Sequence, residues 1–206
     1  MVQQEDPDAM DRPLPHAGAQ APLLVLDFDG VICDSVEECW VSSWTAYHDL
    51  FHRQPQPQPP AEVKARFRLL RPFVRSGEDF VLVQHLVSHG RFPKSQAEFD
   101  REWDEPGLPP PGRFKELYYE ARMALFERDP QAWLAMNRVY PHVAAALSVL
   151  PARAPRFILS TKKAQFVSAT LNANGISLPD DHVLYAEGEP KLDTVGRLMR
   201  DLGAGD

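Results

Sequence analysis

The sequence predicts an α/β protein built on a doubly wound, Rossmann-like parallel sheet that carries a long helical insertion. The apolar run Leu23–Leu26 is typical of a strand that is buried on both faces in the middle of a parallel sheet. Two later strands, at 156–161 and more weakly at 182–185, are each followed by a helical segment. No convincing strand occurs between residues 35 and 154, so this stretch is predicted to be a helical insertion placed directly after the first strand.

The first strand ends in a pair of carboxylates. Ligands of parallel sheets bind at the carboxyl ends of the strands, which is where Asp27 and Asp29 lie. Side chains alternate along a strand, so both carboxylates can point the same way, and Gly30 lets the backbone turn sharply beside a ligand. Neighbouring carboxylates repel each other unless a proton or a cation such as Mg²⁺ intervenes. The alternative is a polar turn that caps the next helix, but Asp34 and Ser35 already serve that purpose.

Composition limits the class of protein. The chain has 206 residues, 44% of them hydrophobic and 25% charged, as in a soluble globular domain with a modest insertion. The net charge of −7 argues against a nucleic-acid partner. No apolar run approaches the roughly 18 residues that cross a membrane, and the acidic start does not resemble a signal peptide. The only two cysteines, Cys33 and Cys39, indicate a reducing, cytoplasmic setting, and we expect both to be buried apolar groups.

Proline-rich segments divide the first two thirds of the chain. Residues 1–21 are predicted to form a disordered leader, and 54–60 and 106–112 are predicted to be extended loops. Ser35 and Glu38 form a capping-box pattern that begins a helix reaching about Phe51. Apolar residues at helical spacing predict further helices, which cover about 61–70, 76–90, 95–103 and 113–128.

The last third of the chain alternates helices and strands. A helix is predicted at about 141–150, before the strand at 156–161. A second helix at about 164–173 is stopped by Asn174 and Gly175, and a third covers about 193–202. This order of strand, insertion, helix, strand, helix, strand and helix is typical of a doubly wound sheet.

The residues after the first strand carry a specific resemblance. Asp27-Phe28-Asp29-Gly30-Val31-Ile32-Cys33-Asp34-Ser35 resembles the first motif of the haloacid dehalogenase-like (HAD) hydrolase superfamily, in its phosphoglycolate-phosphatase-like branch. The resemblance implies that the helical insertion is a cap that closes over the active site, excludes water and selects the substrate. We therefore expect an α/β core formed by residues 22–34 and 138–206, and a helical cap at 35–137.

The resemblance also implies roles for the first motif. Asp27 would be the nucleophile that forms an aspartyl-phosphate, and Asp29 would protonate the leaving oxygen and then activate water. Asp27 would bind Mg²⁺ through its carboxylate, and Asp29 through its backbone carbonyl. Backbone N–H groups of residues 27–30, Gly30 among them, would contact the phosphate of a small phosphorylated metabolite. An aspartate at position 29 favours phosphoryl chemistry over carbon–halogen cleavage.

Two later positions match further motifs of the family. Ser160 matches a residue that hydrogen-bonds the phosphoryl group, with Thr161 as the alternative. Lys191 matches a lysine that neutralises both the nucleophile and the transferred group. Without the resemblance, Ser160 could equally be a helix cap and Lys191 would be a solvated charge.

Three other cations could help to bind an anionic substrate. They are Arg71, Arg75 and Lys162, and each is expected to be a surface charge.

The resemblance leaves the activity of this chain open. The family's fourth motif, one or two acidic residues at the end of a strand after the Lys191 helix, does not occur before Asp206. The sheet is therefore expected to be incomplete at this end and to expose an edge of the first strand. A shortened copy is favoured over a naturally degenerate one, because the first three motifs are intact.

The preferred function is a Mg²⁺-dependent phosphatase, for which a phosphoglycolate-like substrate is considered. The alternatives are a sugar phosphomutase and a catalytically silent protein with this fold. The sequence predicts neither the substrate nor the oligomeric state.

Overall fold

The computed structural model describes residues 23–51, 61–149, 156–186 and 188–203. The predicted leader at 1–21 and the predicted loop at 54–60 lie outside the described residues. Five strands are present in this part of the chain: β1 (Leu24–Leu26), β2 (Cys33–Asp34), β3 (Arg138–Val139), β4 (Arg156–Ser160) and β5 (Val183–Tyr185). The helices there are α1 (Val36–Phe51), α2 (Ala61–Leu70), α3 (Gly77–Ser88), α4 (Gln96–Arg101), α5 (Pro111–Arg128), α6 (Pro130–Ala135), α7 (Pro141–Val149), α8 (Ala164–Ala173) and α9 (Lys191–Asp201).

The main sheet has three parallel strands in the order β1-β4-β5. Leu26 pairs with Ile158, and Ser160 pairs with Tyr185, so the carboxyl ends of the three strands lie at one edge. This arrangement confirms the predicted parallel α/β architecture. It differs from the prediction in one respect, because the side chains of β1 are only partly buried. Within the described residues, β1 has a strand neighbour on one side only, and its second edge is open.

The prediction that no strand occurs between residues 35 and 154 is wrong at Arg138 and Val139. These residues form β3, which pairs antiparallel with β2 and places Cys33 opposite Val139. A ladder of two residues has no periodicity that a sequence pattern could reveal, and its partner is more than 100 positions away along the chain. The pair joins the segment just before α1 to the segment just after α6.

The helices after β2 form a bundle with its own apolar centre. α1 packs against α3 and α5, and α3 packs against α5. Trp40, Tyr47, Phe80 and Phe114 are among the buried residues of this cluster. The aromatic residues Trp40 and Tyr47 of α1 therefore pack into this apolar centre.

A second apolar cluster lies around the sheet. It includes Phe28, Ile158 and Val167, and it also contains Cys33. Cys33 and Cys39 are both fully buried, as predicted, and both are free thiols. Among the described residues, no helix is long and apolar enough to cross a membrane.

The short helix α6 has no counterpart in the sequence-based prediction. The Asp129 side chain caps it by accepting a hydrogen bond from the Ala132 N–H at 2.9 Å. Trp133 of α6 is fully buried against Leu125 and Phe166. These contacts pack α6 between α5 of the bundle and α8 beside the sheet, which fixes the bundle next to the strand ends.

Candidate active site

Asp27 and Lys191 form an ion pair at the carboxyl edge of the sheet. Asp27 follows β1 directly, and Lys191 is the first residue of α9. The Lys191 ammonium lies 2.7 Å from Oδ1 of Asp27, and the Phe28 N–H donates to the same oxygen at 2.7 Å. Both side chains are partly exposed, at 37% for Lys191 and 41% for Asp27. Oδ1 is held by two donors, so Oδ2 is the oxygen that Asp27 can present to a ligand.

Asp29 lies deeper than Asp27 and is surrounded by donors. Its Oδ1 accepts a hydrogen bond from the Ser35 hydroxyl at 2.5 Å and lies 3.1 Å from the Lys162 ammonium. Burial by itself would raise the pKa of Asp29. The positive charges of Lys162 and Arg122, together with the hydrogen bonds from Ser35 and Lys162, outweigh burial and hold that pKa below its usual value.

The turn after Asp29 depends on Gly30, whose φ of 85° lies in the left-handed region that favours glycine. The Gly30 N–H donates to the Cys33 carbonyl at 2.8 Å, while the Phe28 carbonyl accepts from the N–H groups of Ile32 and Cys33. The N–H of Gly30 is therefore engaged in this structure. The contact with a phosphate that was predicted for Gly30 requires that this turn open.

The two residues predicted as alternatives after β4 occupy different environments. Ser160 is 1% exposed, and its hydroxyl oxygen accepts a hydrogen bond from the Lys162 N–H at 3.0 Å. Thr161 instead lines the same cavity as Asp27 and Asp29. Its carbonyl accepts a hydrogen bond from the Tyr119 hydroxyl of α5 at 3.0 Å. The structure thus brings Thr161 to the cavity. Ser160, the preferred prediction, is buried and instead accepts a hydrogen bond from the backbone of the following loop.

Lys162 is not a surface charge, contrary to the prediction. Its side chain is fully buried, and the ammonium lies 3.1 Å from Asp29 and 3.3 Å from Glu38. A third acceptor is Oδ1 of Asn137 at 3.0 Å. Burial by itself would lower the pKa of Lys162, but the two carboxylates outweigh burial and raise it above the usual value.

Glu38 belongs to this buried group and not to a capping box. Arg122 of α5 donates from Nε to Oε1 of Glu38 at 2.8 Å and from Nη2 to Oε2 at 3.0 Å. The Ser42 hydroxyl donates to Oε1 at 2.8 Å. Ser35 directs its hydroxyl to Asp29, so the predicted box between Ser35 and Glu38 is wrong. The local pattern was misleading because the true partner of Glu38 lies 84 positions away along the chain.

Arg71 and Arg75 both line the cavity, although both were expected to be surface charges. Nη2 of Arg71 lies 3.4 Å from the backbone carbonyl of Asp29, and its guanidinium covers the Phe80 ring at 5.3 Å. Arg75 forms an ion pair with Asp100, and its side chain is 60% exposed. Arg71 therefore lies inside the cavity, and Arg75 lies at its solvent-exposed rim.

These side chains surround a cavity of about 120 Å³ between the sheet edge and the helical bundle. The strand side contributes Asp27, Asp29, Thr161, Lys162 and Lys191; the bundle contributes Arg71, Val74, Arg75, Ser76, Gly77, Phe80, Tyr118, Tyr119 and Arg122. The cavity joins two carboxylates to several cations, an arrangement that suits an anionic ligand.

Sequence reasoning missed Glu38 and Arg122 as parts of the site, and it considered Lys162 only as a weaker candidate on the surface. A signal for Arg122 was present, because it lies within the apolar face that Tyr118, Ala121 and Leu125 form on α5. A charged residue within such a face indicates a buried ion pair and therefore a partner of opposite charge.

Several solved structures resemble this chain. A predicted phosphoglycolate phosphatase from Haemophilus somnus 129PT has a TM-score of 0.53 and 18% identity, with 91% of this chain and 74% of that chain covered. A HAD-superfamily hydrolase of subfamily IA from Geobacter sulfurreducens PCA has a TM-score of 0.47 and 15% identity, with 91% and 75% covered. A predicted phosphatase from Clostridium acetobutylicum has a TM-score of 0.47 and 14% identity, with 90% and 72% covered.

No protein-family model and no curated protein matches the sequence. The likeness to the Haemophilus structure, at 18% identity and a TM-score of 0.53, shows the fold. The chain therefore shares the α/β fold of that structure, which agrees with the fold class that the sequence predicted.

Proposed function

We propose that this protein is a phosphoric monoester hydrolase of the HAD type that acts on a small phosphorylated metabolite. The observation that carries the proposal is the Asp27–Lys191 pair, 2.7 Å apart, at a cavity that Asp29 also lines. A carboxylate nucleophile needs a cation that neutralises it and the incoming phosphate, and a second carboxyl group for proton transfer. The resemblance of the motifs and the shared fold support the same function.

The chemistry would take two steps. Oδ2 of Asp27 attacks phosphorus, the bond from phosphorus to the ester oxygen breaks, and that oxygen takes a proton from Asp29. Water then attacks the phosphorus of the aspartyl-phosphate and gives its proton to Asp29, and the bond to Asp27 breaks to release phosphate. Lys191 stabilises the negative charge that both steps gather on the phosphoryl oxygens. In the ligand-free protein the surrounding cations hold the pKa of Asp29 below its usual value, which favours the carboxylate. The negative charge of a bound phosphate would oppose this effect and favour the protonated form that the first step needs.

Mg²⁺ fits the donor chemistry of this site in part. The carboxylate of Asp27 and the backbone carbonyl of Asp29 are hard oxygen ligands at the same cavity. Among the described residues, no group of three acidic, histidine or cysteine side chains could hold a metal ion. With two protein ligands, Mg²⁺ would keep several water or phosphate ligands, as it commonly does. When bound, it would neutralise charge on the phosphoryl oxygens. The guanidinium of Arg71, 3.4 Å from the Asp29 carbonyl, would have to move away from that oxygen before Mg²⁺ could bind it.

The cavity favours a small substrate with negative charge. At about 120 Å³ it has room for a phosphate group and a small organic part. Arg71 lies on the wall formed by the bundle and can contact an acidic group of the substrate. A phosphoglycolate-like ester fits both limits, and the Haemophilus structure is described as a predicted phosphoglycolate phosphatase. The helices between residues 35 and 137 would then close over the substrate as a cap.

Phosphate release from a panel of small phosphate esters, with and without Mg²⁺, tests this function. We expect Mg²⁺-dependent release that Asp27→Asn lowers by about 1,000-fold or more. Asp49→Asn, an exposed position on α1, is the matched control and should act as the wild type does. Mass spectrometry after an acid quench should find one phosphoryl group on the peptide that contains Asp27. Equal turnover by Asp27→Asn and the wild type would exclude Asp27 as the nucleophile.

A further inference from the structure

We propose that Lys162 is a positioning residue, which holds the Asp29 carboxylate in the orientation that proton transfer requires. This inference rests on the proposed hydrolase function and adds a residue to it. It is based on the contacts of Lys162, whose ammonium group faces protein oxygens, unlike that of a lysine that binds an anionic ligand.

Lys162 is surrounded by protein oxygens. Its ammonium donates a hydrogen bond to Oδ1 of Asn137 at 3.0 Å and forms ion pairs with Asp29 and Glu38 at 3.1 and 3.3 Å. Its side chain is fully buried, and the ammonium lies 5.4 Å from the centre of the Phe28 ring. Although Lys162 lies in the wall of the cavity, its charge is directed away from a ligand and towards protein oxygens.

The acceptors of Lys162 come from three separate parts of the chain. Asp29 lies in the turn after β1, Glu38 lies in α1, and Asn137 lies just before β3. The ammonium therefore ties the turn that carries Asp29 to the bundle and to the returning strand. A turn alone would leave the Asp29 side chain free to rotate, whereas this connection fixes it.

The contacts to Asp29 fall on one oxygen. Ser35 and Lys162 both approach Oδ1, at 2.5 and 3.1 Å. Within the described residues, the structure gives Oδ2 no hydrogen-bond partner, and Asp29 lines the cavity. Oδ2 is therefore the atom that can give a proton to the ester oxygen as the bond to phosphorus breaks.

The Glu38–Arg122 pair balances the charges of the buried group that contains Lys162. Arg122 contacts both oxygens of Glu38, so the four buried groups Asp29, Glu38, Arg122 and Lys162 carry no net charge together. This balance allows a charge-matched variant. Lys162→Met removes one positive charge, and the double variant Lys162→Met/Glu38→Gln removes one charge of each sign.

Two esters with different leaving groups test the role of Lys162. An alkyl phosphate such as glycerol phosphate needs a proton on its leaving oxygen, whereas the phenolate of p-nitrophenyl phosphate leaves without one. We expect Lys162→Met and the double variant to lower kcat/KM, which reports the transfer of the phosphoryl group to the enzyme, about 10- to 100-fold more for the alkyl ester than for the aryl ester. KM for the alkyl ester should stay near the wild-type value, because the charge of Lys162 is directed towards protein oxygens. In an Asp29→Asn background, the Lys162→Met change should cause no further loss.

Lys163→Met is the matched control, since Lys163 is the next residue and is exposed. It should leave both activities unchanged. An equal loss on both esters, or a loss that persists in the Asp29→Asn background, would overturn the positioning role. The same conclusion follows if thermal melting shows that both Lys162 variants are unfolded, because Lys162 would then serve stability. A wild-type protein that releases no phosphate from any ester would instead overturn the proposed function, and this inference with it.

Discussion

Glu38 and Arg122 form a two-point ion pair in the interior of the protein, with N–O distances of 2.8 and 3.0 Å. Glu38 lies on α1 and Arg122 on α5, the two helices that pack most extensively in the bundle. Burial by itself would raise the pKa of Glu38, but Arg122 and Lys162 outweigh burial and lower it. The pair thus connects the centre of the bundle to the charges at the candidate active site.

Loss of Arg122 should destabilise the protein strongly. Arg122→Met leaves the Glu38 carboxylate buried with Lys162 as its remaining cation, so the free energy of unfolding should fall by about 3 kcal/mol or more. Urea denaturation measures this change. Arg113→Met is the control, because Arg113 and Glu116 form an exposed pair on the same helix, where the expected change is below about 0.5 kcal/mol. Similar values for the two variants would contradict a structural role for the buried pair.

Gly77 should not tolerate even a methyl group. A Cβ at this position would lie 2.6 Å from Cδ1 of Tyr118 and 3.2 Å from Cε2 of Tyr119. Gly77→Ala should therefore lower the free energy of unfolding by about 1–3 kcal/mol, although alanine favours helices. Nothing lies within 4 Å of the corresponding point at Gly112, which is also in the first turn of a helix. Thermal melting should show Gly112→Ala to be neutral or slightly stabilising, and the opposite ranking of the two variants would contradict this packing.

His85 should make the protein less stable in mild acid. The imidazole is buried, with Nε2 3.1 Å from Glu105, which Arg91 also contacts. Burial, together with His89 and Arg91, lowers the pKa of His85 against the opposing effect of Glu105. The unfolded chain therefore binds more protons than the folded protein near the ordinary histidine pKa of about 6.5, so stability should rise with pH in this range.

Urea denaturation at a series of pH values between 5 and 8 measures that dependence. His85→Gln should flatten the slope, because the titrating group is removed. His142→Gln, at an exposed position, is the control and should keep the wild-type slope. An unchanged slope in His85→Gln would show that other groups cause the loss of stability in acid.

Local patterns predicted most of the fold. The helix at 164–173 was placed without error, and α1, α2, α5 and α7 were placed to within about two residues, because apolar periodicity and capping residues are local signals. The pairing of β2 with β3 and the helix α6 were missed, since two and six residues are too few for a period. β1 was expected to be buried on both faces, but its side chains are only partly buried, because a run of apolar residues does not show how fully other elements cover each face.

The candidate site was predictable only where a motif marked it. Asp27, Asp29, Thr161 and Lys191 lie at one cavity, and their proposed roles follow from the resemblance. Lys162 was assigned to the surface because its partners, Glu38 and Asn137, are distant in sequence. The choice between Ser160 and Thr161 depends on the direction of each side chain at the end of β4, which the residue types do not reveal.

The short ladder between β2 and β3 allows the length of the stretch between these strands to vary. Because Cys33 lies opposite Val139, the two ends of the intervening stretch are adjacent. The entropy cost of closing a loop grows only slowly with its length, so a longer or shorter insert can join the same two ends. The two chain connections of the helical bundle therefore lie side by side at this ladder. The length of the bundle can change without moving the residues at the strand ends.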